Sequence, residues 1–114
     1  MFALLMGLKS ISPTDVLDLV RSGQATVIDV NSTQSWAQAH VPGAVNLDPE
    51  RYAASDLPAD QQRTLVFYCS NPLCRKAPNA ARRAKKMGYR DARVMAAGIK
   101  GWLAADLPTE TGPR

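Results

Sequence analysis

Two cysteines, Cys69 and Cys74, are the side chains of this chain best suited to chemistry, and one segment, Cys69-Ser70-Asn71-Pro72-Leu73-Cys74-Arg75-Lys76, holds both. Nucleophilic power belongs to the thiolate, so the first question is what would ionise Cys69. It ends the apolar run Thr64-Leu65-Val66-Phe67-Tyr68-Cys69, and a polar loop and a basic helix follow it. The N–H groups of Ser70, Asn71, Leu73, Cys74 and Arg75 can turn toward the sulfur, and the positive end of the next helix adds to them. Pro72 has no N–H to offer. Such a ring of donors predicts a sulfur that is ionised at neutral pH and open to solvent. The same ring would hold an anion attached to that sulfur, either a persulfide or a phosphoryl group. The competing reading is a buried, inert thiol, because free cysteine is among the most buried residue types.

Cys74 carries two readings of its own. As a resolving thiol it would attack a persulfide or sulfenate on Cys69 and close a disulfide that shields the sulfur from further oxidation. As a structural residue it would merely pack the loop. His40, in a turn before Pro42, reads as structural and not as a general base, since position decides catalysis. Asp29, at a strand end, reads as an acceptor for loop N–H groups. Trp36, Trp102, Met87 and Met95 fit packing positions and imply no cofactor. One His and two Cys cannot supply a four-ligand zinc site, so no metal is implied either.

The elements that must position these residues are legible from pattern. Ser12-Pro13-Thr14-Asp15 predicts a capped helix from Pro13 to about Ser22, stopped at Gly23. Ala25-Thr26-Val27-Ile28-Asp29-Val30 is apolar and β-branched without alternation, as in a strand covered on both faces. A helix over Thr33 to Ala39, a turn at His40-Val41-Pro42-Gly43 and a short strand over Ala44 to Leu47 follow. One or two helical turns are expected between Pro49 and Ala54. The run from Thr64 to Cys69 reads as the central strand. Ala77, Ala80, Ala81, Ala84 and Met87 recur at helical spacing with Arg82, Arg83, Lys85 and Lys86 on the other side. Ala92 to Met95 and Ile99 to Ala105 complete the pattern. Strands alternating with helices predict an α/β domain with a mainly parallel sheet.

A chain of 114 residues buries roughly two-thirds of its unfolded surface and keeps a core without staples. The expected organisation is an apolar segment over 1–10, one domain over 11–108 and a tail over 109–114. Phe2 to Leu8 is too short to span a bilayer and lacks the flanks of a signal peptide, so it reads as a docking segment or edge strand. A cytoplasmic protein with no membrane partner is expected; oligomeric state is left open. Of the net charge of +4, the stretch from Arg75 to Arg93 carries Arg75, Lys76, Arg82, Arg83, Lys85, Lys86, Arg90 and Arg93 against Asp91 alone. That face is either a solvated helix surface or a steering field for small anions. With Tyr89 as its only aromatic residue and no recognisable motif, it gives no reason to expect nucleic acid.

Four pieces in order carry a resemblance: Asp29-Val30; Ala39-His40-Val41-Pro42-Gly43-Ala44-Val45-Asn46-Leu47; Leu65-Val66-Phe67-Tyr68-Cys69; and Ala97-Gly98-Ile99-Lys100-Gly101-Trp102. From Ile11 to Pro108 the chain resembles a single-domain rhodanese, in a subset with a second Cys in the active-site loop. The resemblance implies a rhodanese-like α/β fold with a central, mostly parallel five-stranded sheet flanked by helices. It also implies that Cys69 takes sulfane sulfur from a small anionic donor such as thiosulfate, carries it as a persulfide, and passes it to cyanide or a thiol acceptor, which a protein could also supply. Ser70, Asn71, Leu73, Cys74, Arg75 and Lys76 would form the substrate-binding loop.

This loop is longer than is common in the family. Asn31 stands where many members have Arg, and Ser35 where many have Glu, so an ion pair is absent. Two other activities stay open. One is a redox or sulfur-carrier module using Cys69 and Cys74. The other is a Cys-based phosphatase or arsenate reductase, whose spacing the five residues between Cys69 and Arg75 match. Tyr68 in place of a preceding His, Pro72 in the loop and the lack of a nearby general-acid Asp weigh against the latter.

Overall fold

The computed structural model describes residues 8–112. Its elements run β1 (Lys9–Ser10), α1 (Pro13–Arg21), β2 (Ala25–Asp29), α2 (Thr33–Gln38), β3 (Val45–Asn46), a 3-10 turn (Ala54–Asp56), β4 (Thr64–Tyr68), α3 (Lys76–Lys86), β5 (Ala92–Val94) and α4 (Gly98–Ala104). The five strands form one sheet in the order β1-β5-β4-β2-β3, and every pairing is parallel. The expected α/β class holds, with β4 at the centre of the sheet.

The unbroken apolar run of β4 is explained by burial on both faces. Leu65, Phe67 and Cys69 enter one core with Ile28, Val30, Val94 and the alanines of α3. Val66 and Tyr68 enter the other, with Val16 and Leu17 of α1 and Trp102 of α4. Strand side chains alternate with period two, so a strand covered on both sides has no position left for a polar residue. Alanine along the inner face of α3 lets that helix lie close over the sheet, while Lys76, Lys85 and Lys86 are exposed and Arg82 and Arg83 are half-buried at its flank.

Helix starts follow the local chemistry. Ser12 caps α1 by accepting from the Asp15 N–H, and Pro13 occupies the first turn. Ser32 caps α2 in the same way through the Ser35 N–H. The expected helical turns between Pro49 and Ala54 are a single turn around Asp48, which accepts from the Tyr52 N–H through its carbonyl and from the Glu50 N–H through its carboxylate. The short 3-10 helix lies after it, at Ala54–Asp56. An Asp side chain that accepts a backbone N–H two residues on favours a turn over a helix, so the segment stops at one turn.

Of the segment Phe2 to Leu8, only Leu8 lies among the described residues, and it is buried beside the edge strand β1. At the other end, Glu110 is tied to His40 by reciprocal backbone hydrogen bonds of 3.0 and 2.9 Å. No helix among the described residues is long and apolar enough to cross a membrane, and no cluster of metal-ligating side chains occurs among them.

Candidate active site

The carboxyl ends of parallel strands are where ligands bind in open α/β sheets, because the chain must leave the sheet there through loops. Cys69 stands at that edge, one residue past the end of the central strand. It is not the last residue of β4, as expected from sequence, because its carbonyl accepts from the Ile99 N–H of α4 at 2.9 Å and not from a neighbouring strand. The next carbonyl, that of Ser70, accepts from the Lys100 N–H at 3.0 Å. These two free amides in the first turn of α4 therefore clamp the start of the loop.

The clamp requires a glycine. Gly98 has φ +67°, and a Cβ there would lie 2.6 Å from the Ser70 carbonyl carbon and oxygen. Nothing in the residue types of Gly98, Ile99 and Lys100 announces this role, although they fall in a run that carries the resemblance. The available signal was a glycine directly between a strand and a helix.

Beyond Ser70 the loop folds back on itself. Asn71-Pro72-Leu73-Cys74 makes a tight turn: the Cys74 N–H donates to the Asn71 carbonyl at 3.1 Å, and the Leu73 N–H donates to Asn71 Oδ1 at 2.9 Å. Asn at the first position and Pro at the second are the residues such a turn favours. The turn brings Cys74 over Cys69, and the two are joined in a disulfide with Cα atoms 6.4 Å apart.

Two expectations are corrected here. The sulfur of Cys69 is not open to solvent: it is bonded to Cys74, and the residue is 3% exposed because the strand pleat carries it into the core face with Leu65 and Phe67. The expected ring of inward N–H donors is also incomplete, since those of Leu73 and Cys74 are committed to Asn71. Leu73 is 85% exposed, and Arg75 and Lys76 are exposed at the start of α3. Lys76, with Asn31, Thr33, Asn46 and Asp48, lines an open cavity of about 220 Å³ that neither cysteine enters.

Beneath the loop lies a buried polar network. Asn31, in place of the ion-pairing Arg, is buried and accepts through Oδ1 from the Ser70 hydroxyl at 2.8 Å. Its N–H donates to Asp29 Oδ1, and its carbonyl accepts from Asn46. Asp29 also accepts from the Tyr68 hydroxyl at 2.6 Å, and that hydroxyl accepts from the Val41 N–H. Burial raises the Asp29 pKa, against the lowering effect of the Tyr68 and Asn31 hydrogen bonds. Burial and the adjacent Asp29 push the Tyr68 phenol far up, so it remains a donor. Asp29 and His40 have the structural roles expected of them: His40 is buried, stacks on Trp36 and bonds the Trp36 carbonyl through Nδ1 at 2.7 Å.

The raised Asp29 pKa gives a signed expectation. The native state holds this proton more tightly than the unfolded chain, so the contribution is full below the ordinary value of 3.8 and is lost as pH rises through the raised one. Asp29→Asn should remove that fall. Denaturant midpoints measured across the acid range should then decline less with rising pH in the variant than in the parent, and parallel curves would show that Asp29 does not titrate with folding.

The rhodanese-like domain family matches residues 12–105. The chain is 29% identical over 103 residues to the HTH-type transcriptional regulator Rv0324 of Mycobacterium tuberculosis, covering 90% of this chain but only 45% of that protein. It is 26% identical over 106 residues to the thiosulfate sulfurtransferase GlpE of Haemophilus influenzae, covering 93% of this chain and 98% of GlpE. The crystal structure of the BH2092 protein of Bacillus halodurans superposes with a TM-score of 0.82 at 19% identity, over 90% of this chain and 77% of that one.

Proposed function

The chain belongs to the rhodanese-like domain family, and on that premise we propose that it is a sulfurtransferase working through a Cys69 persulfide. In the reduced protein the Cys69 thiolate attacks the outer sulfur of a donor such as thiosulfate. The new sulfur–sulfur bond forms, the donor's sulfur–sulfur bond breaks, and sulfite leaves with the electron pair. An acceptor thiolate or cyanide then takes the outer sulfur and returns the Cys69 thiolate. The observation that carries this reading is the placement of Cys69 at the carboxyl edge of the central strand, with its own carbonyl and the next one clamped by α4. A nucleophile held this firmly is presented at a fixed position, which is what repeated transfer between two substrates requires.

The same loop argues against phosphoryl chemistry. A tetrahedral oxyanion needs several converging N–H donors, whereas Pro72 has none and those of Leu73 and Cys74 are used by Asn71. The Cys69 persulfide presents a single anionic atom and needs fewer. A reducing compartment such as the cytoplasm suits the reaction, since the Cys69–Cys74 bond must open before Cys69 can attack.

The test is direct. Mass spectrometry of the reduced protein after thiosulfate treatment and acid quenching should show either one sulfur added on Cys69 or the Cys69–Cys74 disulfide that loss of that sulfur leaves behind. A reduced Cys69 that stays untouched, or hydrolysis of p-nitrophenyl phosphate that depends on Cys69, would overturn the reading. Arg75 is exposed beside the loop and can attract an anionic donor. Arg75→Ala should raise the Michaelis constant for thiosulfate about two- to fivefold, as expected of one exposed charge, with turnover little changed. An unchanged constant would remove Arg75 from donor binding.

A further inference from the structure

A persulfide carried by a lone cysteine waits for an outside acceptor, but this loop supplies a second sulfur in bonding position. The Asn71-Pro72-Leu73-Cys74 turn folds Cys74 back, and the bond it makes is to Cys69 Sγ itself. On a Cys69 persulfide that atom is the inner sulfur, and attack there expels the outer one. Attack on the outer sulfur would only move it from one cysteine to the other. The geometry thus selects expulsion.

We infer that the chain has a second activity, the reductive release of hydrosulfide from sulfane-sulfur donors, with the Cys69–Cys74 disulfide as its product state. The Cys74 thiolate attacks Sγ of Cys69–S–SH, the Sγ–Sγ bond forms, the persulfide bond breaks, and the outer sulfur leaves with the electron pair as HS⁻. That sulfur is reduced from the zero-valent to the sulfide level, and the two cysteines are oxidised to the disulfide. An external dithiol then reopens the bond and is itself oxidised to a disulfide.

Exposure sets the direction of reopening. Cys69 is buried, whereas Cys74 is only partly buried and sits between Leu73, 85% exposed, and the exposed Arg75. The reductant therefore reaches Cys74 and releases Cys69 as the leaving thiolate, ready for the next donor. Formation of the mixed disulfide on Cys74 and its resolution by the second thiol of the reductant complete the cycle.

This inference rests on the persulfide reading, and a single-turnover experiment separates the two. The fully reduced protein, freed of reductant, is mixed with one equivalent of thiosulfate labelled in its outer sulfur. Labelled hydrosulfide is trapped with bromobimane, and the protein is analysed by non-reducing mass spectrometry. The expected result is one labelled hydrosulfide per chain and a Cys69–Cys74 disulfide. In both Cys74→Ser and Cys74→Ala the label should stay on Cys69 and release should be lost. Label that stays on wild-type Cys69 while Cys74 remains open to alkylation would overturn this inference and leave sulfur loading intact. No label on any of these proteins, and none released, would overturn both.

Discussion

Gly98→Ala is expected to destabilise the protein and displace the loop at once. A side chain at φ +67° costs roughly 1–2 kcal/mol. Its Cβ would also stand 2.6 Å from the Ser70 carbonyl, where real Cβ atoms do not sit, so either the loop or α4 must move. Overpacking of this kind typically costs about 1–3 kcal/mol, and the two together come to on the order of 3 kcal/mol. A movement of either element breaks the hydrogen bonds from Ile99 to Cys69 and from Lys100 to Ser70. Urea denaturation should show the lowered midpoint, and the folded fraction should load sulfur from thiosulfate poorly. A variant as stable as its parent and equally loaded would show that the close approach is relieved elsewhere, and that the clamp does not hold the nucleophile.

Cys69→Ser should abolish sulfur uptake, with transfer falling by on the order of 10³-fold or more. A serine hydroxyl stays protonated where a thiol ionises, and it forms no persulfide. The variant also lacks the disulfide, so it forfeits about 2 kcal/mol relative to the oxidised parent on the chain-entropy account of so short a loop. The proper reference is therefore the reduced parent, which the variant should match in stability. Equal stability with lost uptake assigns the loss to chemistry. Uptake that survives in the variant would remove Cys69 from the reaction and point to Cys74 as the carrier.

The elements were legible where a local pattern had a single physical solution. The β4 run reads as a central strand because no alternation survives when both faces are covered, and the alanine spacing of α3 reads as a helix lying close to a sheet. The starts of α1 and α2 were legible because Ser12 and Ser32 accept N–H groups only a few residues away. The segment after Pro49 holds one turn and no helix because Asp48 decides between the two through its own local acceptors. In the site, Cys69, its loop and the second thiol stood out by type and spacing. The supports beneath them did not. The Tyr68–Asp29 and Ser70–Asn31 hydrogen bonds each join residues 39 positions apart, and nothing local in Asn31 says that it will be buried under the loop. The absence of the usual Arg was readable; its replacement by a neutral hydrogen-bonded network was not.

By itself the sequence determined the alternation of strands and helices, the central place of the strand before Cys69, and the presence of two thiols within one short loop. Those properties depend on residue type, short-range periodicity and the turn preference of Asn71-Pro72, all of which act within a few residues. Only the tertiary structure decided that Cys69 faces a core, that α4 clamps its carbonyl, and that Cys74 returns to bond its sulfur. The physical reason is that burial and long-range hydrogen bonds depend on which elements the packed sheet brings together. The chain's own local pattern leaves a nucleophile at a strand end free to face solvent or core.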